Sequence, residues 1–381
     1  MLLAEKTVAI VGGGPGGLTL ARLLQLQGVK VQVYERDTSS ASRVQGATLD
    51  LHAESGLAAL RQAGLIEAFY AHHRPEAGKL RIVDPQLAIS YDWDSGYEHE
   101  VRPEIDRGPL RTILLDSLEP NTVVWDSQFA ALEPAGKGWL LRFKNGTTAR
   151  ADVVIGADGA RSQIRPYLSS IKPCYSGITI VEGNLYAAAK HAPALDQLVG
   201  GGKVFALGKQ QSLILSAKGD GSLAFYTGCK VAESWVQSCG IDFSNKNSVL
   251  AWFKQAFAEW DADWQALFAG DEMTFVPRPQ YYYPLDQAWS AQPNLTIIGD
   301  AAHVMPPYAG EGVNMALQDA LELAECLTSS QHPSIHAAIA AFEQTMCRRA
   351  AEVTQLTLSS TDMLHSETAI EELVAMFNEV A

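Results

Sequence analysis

The chain has 381 residues, 47% hydrophobic and 19% charged, enough for two packed domains or one large one. Its 43 acidic residues outweigh 29 basic ones for a net charge of −14, with no basic stripe, so no nucleic-acid partner is expected. No run approaches the ~18 apolar residues of a membrane span, and the cysteines Cys174, Cys229, Cys239, Cys326 and Cys347 lack zinc-knuckle or redox-dithiol spacing. A cytoplasmic, metal-free protein with reduced thiols and no membrane partner is expected, working as a monomer on a small molecule.

Thr7 to Val11 reads as a buried strand. The run Gly12-Gly-Gly-Pro-Gly-Gly17 breaks it, and a breaker-free helix follows to Gln27, ended by Gly28. Val29 to Tyr34 alternates apolar and polar residues as a second strand, which completes a βαβ unit of about 30 residues. Leu57 to Ala68 and Leu110 to Leu118 read as helices, and Ala151 to Ile155 as a strand. From Tyr175 to Pro284 the texture changes to short strands with glycine-rich turns, interrupted by one helix near Ser248 to Ala258. Leu295 to Ile298 returns to a buried strand, and Met315 to Leu327 to a helix. Two amphipathic stretches close the chain, with Ile335, Ala338, Ile339 and Phe342 on one face and Ile370, Leu373, Val374 and Phe377 on another. The fold class is therefore α/β: a Rossmann-like dinucleotide-binding domain with an inserted antiparallel sheet and C-terminal helices. The boundaries expected are 1–174 and 285–330 for the first domain, 175–284 for the inserted substrate domain and 331–381 for bridging helices.

Three motifs carry the chemistry. In Gly12-x-Gly14-Pro15-x-Gly17, the glycines allow a tight turn and close approach of a pyrophosphate to the helix N-terminus. Glu35, 18 residues beyond Gly17 at the end of the second strand, suits the hydroxyls of an adenosine ribose. Arg36, beside it, can face cofactor or solvent. The second motif is Gly156-Ala-Asp158-Gly159-Ala-Arg161-Ser162-x-x-Arg165, a strand end and turn with a helix expected near Ser162. The third is Gly299-Asp300-Ala-Ala-His303, followed by Pro306-Pro307 and Gly310-Glu311-Gly312-Val313-Asn314. Asp300 can bind a ribityl hydroxyl, and the glycines allow the backbone to approach a flat ring. The helix that follows aims its positive end at the side of a reduced flavin that carries negative charge. His303 reads as a structural hydrogen-bonder.

In this order and spacing the three motifs resemble the class A flavoprotein monooxygenases, with the para-hydroxybenzoate hydroxylase fold, over nearly the whole chain. Within that family the sequence resembles the tetracycline-inactivating members. That likeness rests on Tyr34-Glu-Arg-Asp37, Thr48-Leu-Asp-Leu-His52, Leu110-Arg-x-Ile-Leu-Leu115, Val124-Trp-Asp126 and Ile298 to Asn314. The resemblance implies non-covalent FAD, contacted at Asp50, Arg111, Asp158 and Asp300, with the backbone from Pro307 to Asn314 along the isoalloxazine. It implies NADPH as a transient cosubstrate contacted at Arg43, with no Rossmann domain of its own. Oxygen would then pass from a flavin C4a-hydroperoxide to a polycyclic, electron-rich substrate, a tetracycline first among them.

Two departures stand out. The loop reads Gly-Glu311-Gly where the family has Gly-Gln-Gly, and Glu311 is expected to point outward, since an inward carboxylate would oppose an anionic reduced flavin. On the inserted sheet, the Gln, Arg, Phe and His that hold the drug in tetracycline-inactivating enzymes fall here near Glu182, Lys203, Ile214 and Ala224, with Tyr226 beside them. No Trp-x-Trp-x-Ile-Pro run marks a halogenase and no Cys-x-x-x-x-Cys pair marks a disulfide reductase. A flavoprotein that sequesters its ligand without turnover remains the alternative from another class.

Overall fold

The computed structural model describes residues 2–42, 47–94 and 102–380. Five parallel strands run in the order Leu295–Ile297, Val153–Gly156, Thr7–Val11, Lys30–Tyr34 and Val123–Val124. Val8, Ala9, Ile10 and Val11 are all buried, as their unbroken apolar run requires of a strand covered on both faces. Val8 pairs with Val153 on one side and Val31 on the other, and Ile155 with Thr296. Helix Pro15–Leu26 packs along helix Gly312–Thr328, so tightly that a Cβ on Gly16 would lie 2.9 Å from the Ala316 carbonyl oxygen.

A seven-stranded sheet stands beside this unit, ordered Met273–Tyr282, Cys174–Leu185, Leu223–Lys230, Gln211–Ala217, Lys203–Gly208, Leu80–Val83 and Ile89–Trp93. Its alternation sorts the side chains. Val181, Leu185, Val204, Leu213, Leu215 and Phe225 enter an apolar core with Phe253, Trp264 and Phe268. The opposite face carries the in-register row Glu182, Tyr226, Ile214 and Phe205, and next to it the row Ala224, Ser216 and Lys203. A separate antiparallel sheet, Phe129–Ala135, Gly138–Phe143 and Thr148–Ala151, packs on the first unit.

The sequence expectations need three corrections. The large sheet recruits residues 80–93, from the stretch assigned to the first domain, and its pairing of Lys203–Gly208 with Leu80–Val83 is parallel. The helix expected over 57–68 is two, Gly56–Gln62 and Ile66–Tyr70, because Gly64 takes φ +72° between them. No α-helix starts at Ser162. Asp158 and Ser162 accept from the backbone of residues 163–165 instead, and only a short 3-10 turn, Arg165–Tyr167, follows.

The tail spans both units. Along helix Ile335–Leu364, Ala338, Ile339, Phe342 and Met346 sit in the core of the parallel-sheet unit, whereas Leu364, with Ala369 and Leu373 of helix Ala369–Val380, packs on Ile82 and Leu207 of the large sheet. Among the described residues, no helix is long and apolar enough to cross a membrane.

Candidate flavin site

The site begins where Thr7–Val11 ends. Gly12 takes φ +111°, and a Cβ on it would lie 2.2 Å from the Ala157 carbonyl oxygen. A Cβ on Gly17 would meet the Gly12 carbonyl oxygen at 2.2 Å, so both glycines face packed backbone. Gly14 instead faces open space, with nothing within 4 Å of such an atom. It is the N-cap of Pro15–Leu26, and no side chain caps that end. The free N–H groups and the positive end of the helix are thus presented at the open side of the glycine turn, as a pyrophosphate requires. Glu35 is buried and accepts from Gly13 N at 2.6 Å and Asp37 N at 3.0 Å, which holds its carboxylate against the turn. Arg36 is exposed, and Arg43 lies outside the described residues.

Asp158 and Asp300 end adjacent strands of the same sheet. Asp158 Oδ1 is buried with no hydrogen-bond partner among the described residues, and burial pushes the carboxyl above its ordinary range. Asp300 follows Gly299, whose φ is +60°. Its side chain is open to solvent, yet surrounding protein still pushes its carboxyl upward, against the pull of His303 and Arg107. It therefore lines a deep cleft rather than the outer surface. Arg165 ties the second and third motifs together. Its guanidinium donates to Ala301 O at 3.2 Å, Ala302 O at 2.7 Å and Gln287 Oε1 at 2.7 Å, and lies 3.4 Å from the Tyr283 ring centroid. Behind them Asp319, fully buried, accepts from Gly299 N at 2.8 Å, His303 Nε2 at 2.6 Å and Arg349 at 2.5 Å. His303 thus faces Asp319, not the cleft. Asp319 and Arg349 escaped the sequence reading. The signal for Asp319 is its place on the apolar face of its helix, four residues from Met315 and from Leu323; Arg349 has none.

The opposite rim is a clasp. Asn314 is buried, and its Oδ1 accepts from His52 N at 2.9 Å while its Nδ2 donates to Asp50 O at 2.9 Å. The side chain therefore binds the segment 50–52 to the loop, and only the backbone of this residue is available to a cofactor. Gly310, at φ +72°, stands over Asp50, with a Cβ position 3.2 Å from Oδ1. Burial raises the Asp50 carboxyl, but His52 and Lys203 outweigh it and hold it below its usual range. Glu311 corrects an expectation: its side chain turns inward and sits 3.6 Å from His52 Nδ1, with 15% of it exposed. Burial pushes the Glu311 carboxyl above its ordinary range, against the pull of His52 and Arg102. Pro307 opens the 3-10 turn Pro307–Ala309, Gly312 starts helix Gly312–Thr328 with no side-chain cap, and Val313 is half-buried against the core. Arg111 is buried, donates to Ser40 O at 2.9 Å and Asp37 Oδ2 at 3.3 Å, and leaves Nε without a partner among the described residues.

These features fit FAD. Two uncapped helix ends, a glycine cradle closed by backbone, a carboxylate lining the cleft and two buried orphan polar atoms match a long, anionic, hydroxyl-rich ligand. Asp300→Ala is expected to weaken FAD binding by about one to two decades, the loss of roughly 1.5–3 kcal/mol of charged hydrogen bonding. An unchanged dissociation constant by flavin fluorescence titration would place Asp300 away from the cofactor.

Across the cleft stands the polar-side face of the large sheet. Thr48 Oγ1 lies 3.1 Å from Ser216 Oγ, and Ala47 N donates to Tyr226 Oη at 3.2 Å. Three of the expected substrate residues are already engaged or hidden. Lys203 pairs with buried Glu104, Glu182 pairs with Arg278, and Ala224 is 2% exposed. Ile214, Tyr226 and, unforeseen, Phe205 remain half-exposed on this wall. Phe205 was findable, as it alternates with Lys203 on the same strand face.

Comparison with known proteins agrees with this geometry. Residues 5–357 match the FAD binding domain family. The 3-amino-4-hydroxybenzoate 2-monooxygenase PtnB3 of Streptomyces platensis is 31% identical, over 84% of this chain and 79% of its own. Monooxygenase asqM of Emericella nidulans is 29% identical over 98% of each chain. The crystal structure of tetracycline destructase Tet(55) has the same fold, with a TM-score of 0.75 at 19% identity, over 95% of this chain and 90% of that one. With a family match over nearly its whole length and monooxygenase relatives covering most of it, and with a site whose residues fit the cofactor, the chain belongs to the FAD binding domain family and is an FAD-dependent monooxygenase.

Proposed function

We propose that this monooxygenase draws electrons from NADPH and adds one oxygen atom to an electron-rich phenol or enol ring of a flat, multi-ring substrate, tetracyclines being the first candidates. The observation that carries the reading is the pairing of two unlike walls. One is the backbone of residues 307–314, polar and positive at its helix end. The other is the half-exposed apolar row Phe205, Ile214 and Tyr226. A flat ring system satisfies both, with its face on the apolar row and its edge toward the loop. The name of PtnB3, which describes an amino-hydroxybenzoate substrate, supports an electron-rich phenol, and the fold shared with a tetracycline destructase can house a multi-ring one.

Bound FAD supplies the activation of dioxygen. The chain's own residues hold and shield the reacting ring. Lys203 itself is not offered to a substrate anion, because Glu104 holds it with Asp50 close by.

The test is a mass-spectrometric product screen with purified enzyme, NADPH and oxygen, run on tetracyclines and on simpler aminophenols and polycyclic phenols. The expected product is heavier by one oxygen atom, with NADPH oxidation stimulated by the substrate. If tetracyclines leave NADPH consumption at background while a single-ring aminophenol is oxygenated, the multi-ring assignment fails.

A further inference from the structure

Tyr308 belongs to the turn Pro307–Ala309, but its side chain leaves the cleft. It inserts between the large sheet and the tail, against the cluster of Ile82, Leu207 and Leu364. There its ring stands edge-on to His365, with centroids 5.0 Å apart at 79°. The Tyr308 hydroxyl lies 3.4 Å from His365 Nε2, and Ser212 Oγ lies 3.1 Å from the same nitrogen. On the other side of the imidazole, Nδ1 is 2.7 Å from the Thr361 carbonyl oxygen.

The proton assignment follows from the partners. A carbonyl only accepts, so Nδ1 carries the hydrogen and donates to it. In the neutral ring Nε2 is then a bare acceptor, able to receive a hydroxyl proton from Tyr308 or Ser212. His365 is fully buried, and this burial draws its pKa down to about 4, so the neutral form persists at ordinary pH. Lys230 opposes and Asp362 favours its protonation, and neither reverses the shift.

Gly228 makes room for the cluster. A Cβ there would lie 2.3 Å from Ser212 Oγ, 2.5 Å from the Tyr308 hydroxyl and 2.6 Å from His365 Nε2. Three distant segments thus meet at one nitrogen: a strand of the large sheet, the loop on the flavin side of the cleft, and the end of the long tail helix. A packing role alone would be met by phenylalanine at 308 and an apolar residue at 365. The buried hydroxyls and the acceptor between them define a fixed position as well.

We propose that His365 is a positioning residue for the flavin-facing loop, acting through Tyr308, so that the tail sets the register of the loop against the cofactor. This inference rests on FAD binding alone and is independent of the substrate class proposed above.

The experiment compares His365→Leu, His365→Gln and Gly228→Ala with the parent, each both loaded with FAD and stripped of it. Four quantities are read: the visible absorption band of bound flavin, its fluorescence, the FAD dissociation constant and the thermal midpoint of the apoprotein. His365→Leu removes the acceptor that Tyr308 and Ser212 share, and Gly228→Ala drives the three groups apart. Both are expected to change the flavin band and fluorescence and to weaken FAD binding by about tenfold, the equivalent of roughly one hydrogen bond. The amide oxygen of glutamine can replace Nε2 as acceptor, so His365→Gln is expected to return the spectrum and to bring affinity within about twofold of the parent. A His365→Leu protein that melts earlier but keeps the parent's flavin spectrum and affinity overturns the proposal. So does a His365→Gln protein no better than His365→Leu. Should His365→Leu not fold, Tyr308→Phe carries the same readouts, and an unchanged spectrum there overturns it as well.

Discussion

Gly12→Ala is expected to yield a protein that loses FAD during purification, with a dissociation constant raised at least about a hundredfold. The new methyl carbon would lie 2.2 Å from the Ala157 carbonyl oxygen and 2.6 Å from its carbon. Neither atom belongs to a flexible side chain, and Ala157 N is itself held by Val11 O at 2.7 Å. The backbone must therefore move, and what moves is the turn that leads to Asp158. The φ of +111° adds strain of about 1–3 kcal/mol for a residue with a Cβ. With displacement of the phosphate-facing N–H groups, the total passes the ~2.7 kcal/mol that a hundredfold change represents. Gly14→Ala separates the cofactor from the fold. Its methyl group meets no protein atom within 4 Å, so the apoprotein should melt with the parent while FAD binding falls. Stoichiometric yellow cofactor in purified Gly12→Ala would mean that the turn is misassigned.

Asp319→Ala is expected to cost about 3–5 kcal/mol of stability, measured by urea unfolding of the apoprotein. The carboxylate is the shared acceptor for Gly299 N, His303 and Arg349; its loss strips buried His303 and Gly299 N of their partner, while Arg349 keeps Glu322. The two partners shift in opposite directions. Burial opposes His303 ionisation, but Asp319 prevails and raises its pKa. Burial likewise opposes Asp319, but His303 and Arg349 prevail and lower its pKa. The stability from His303 is full below its unfolded value of about 6.5 and fades as pH rises through the raised folded value. That from Asp319 is present above about 3.9 and fades as pH falls through the lowered one. The penalty of Asp319→Ala should thus be largest between about pH 4 and 6.5 and shrink on the alkaline side. A penalty below about 1 kcal/mol at pH 6 would show that the buried charges find other partners.

The dinucleotide unit was legible because its signals are local. Gly12, Gly17 and Glu35 fall within one βαβ stretch, and a glycine that must face backbone has no substitute. Asp300 was legible for the same reason, as a strand end before a helix. The inserted sheet was harder to read. Residues 80–93 join it through a parallel pairing with Lys203–Gly208, a contact between segments more than 100 residues apart that no local pattern encodes. The inward turn of Glu311 depended on His52, and the engagement of Lys203 on Glu104. A one-dimensional alignment sees a charge at each position but not its partner. Asn314 shows the same limit: its place in the loop was expected, whereas its use as a clasp on 50–52 required the fold.

The clasp has a consequence for how the chain matures. Asn314 holds His52 from 262 positions away, and Asp300 follows a strand, Leu295–Ile297, whose neighbour, Val153–Gly156, is made far earlier. On a ribosome, the glycine turn waits for about 300 further residues before the other half of its pocket exists. During that interval the face of Pro15–Leu26 that will pack on Gly312–Thr328, and the strand edge that will receive Leu295–Ile297, have no native cover. Such surfaces favour association between nascent chains. Flavin capture is therefore a late event in the life of this polypeptide. A product ended after the large sheet, near residue 284, would carry the dinucleotide fingerprint and still emerge colourless.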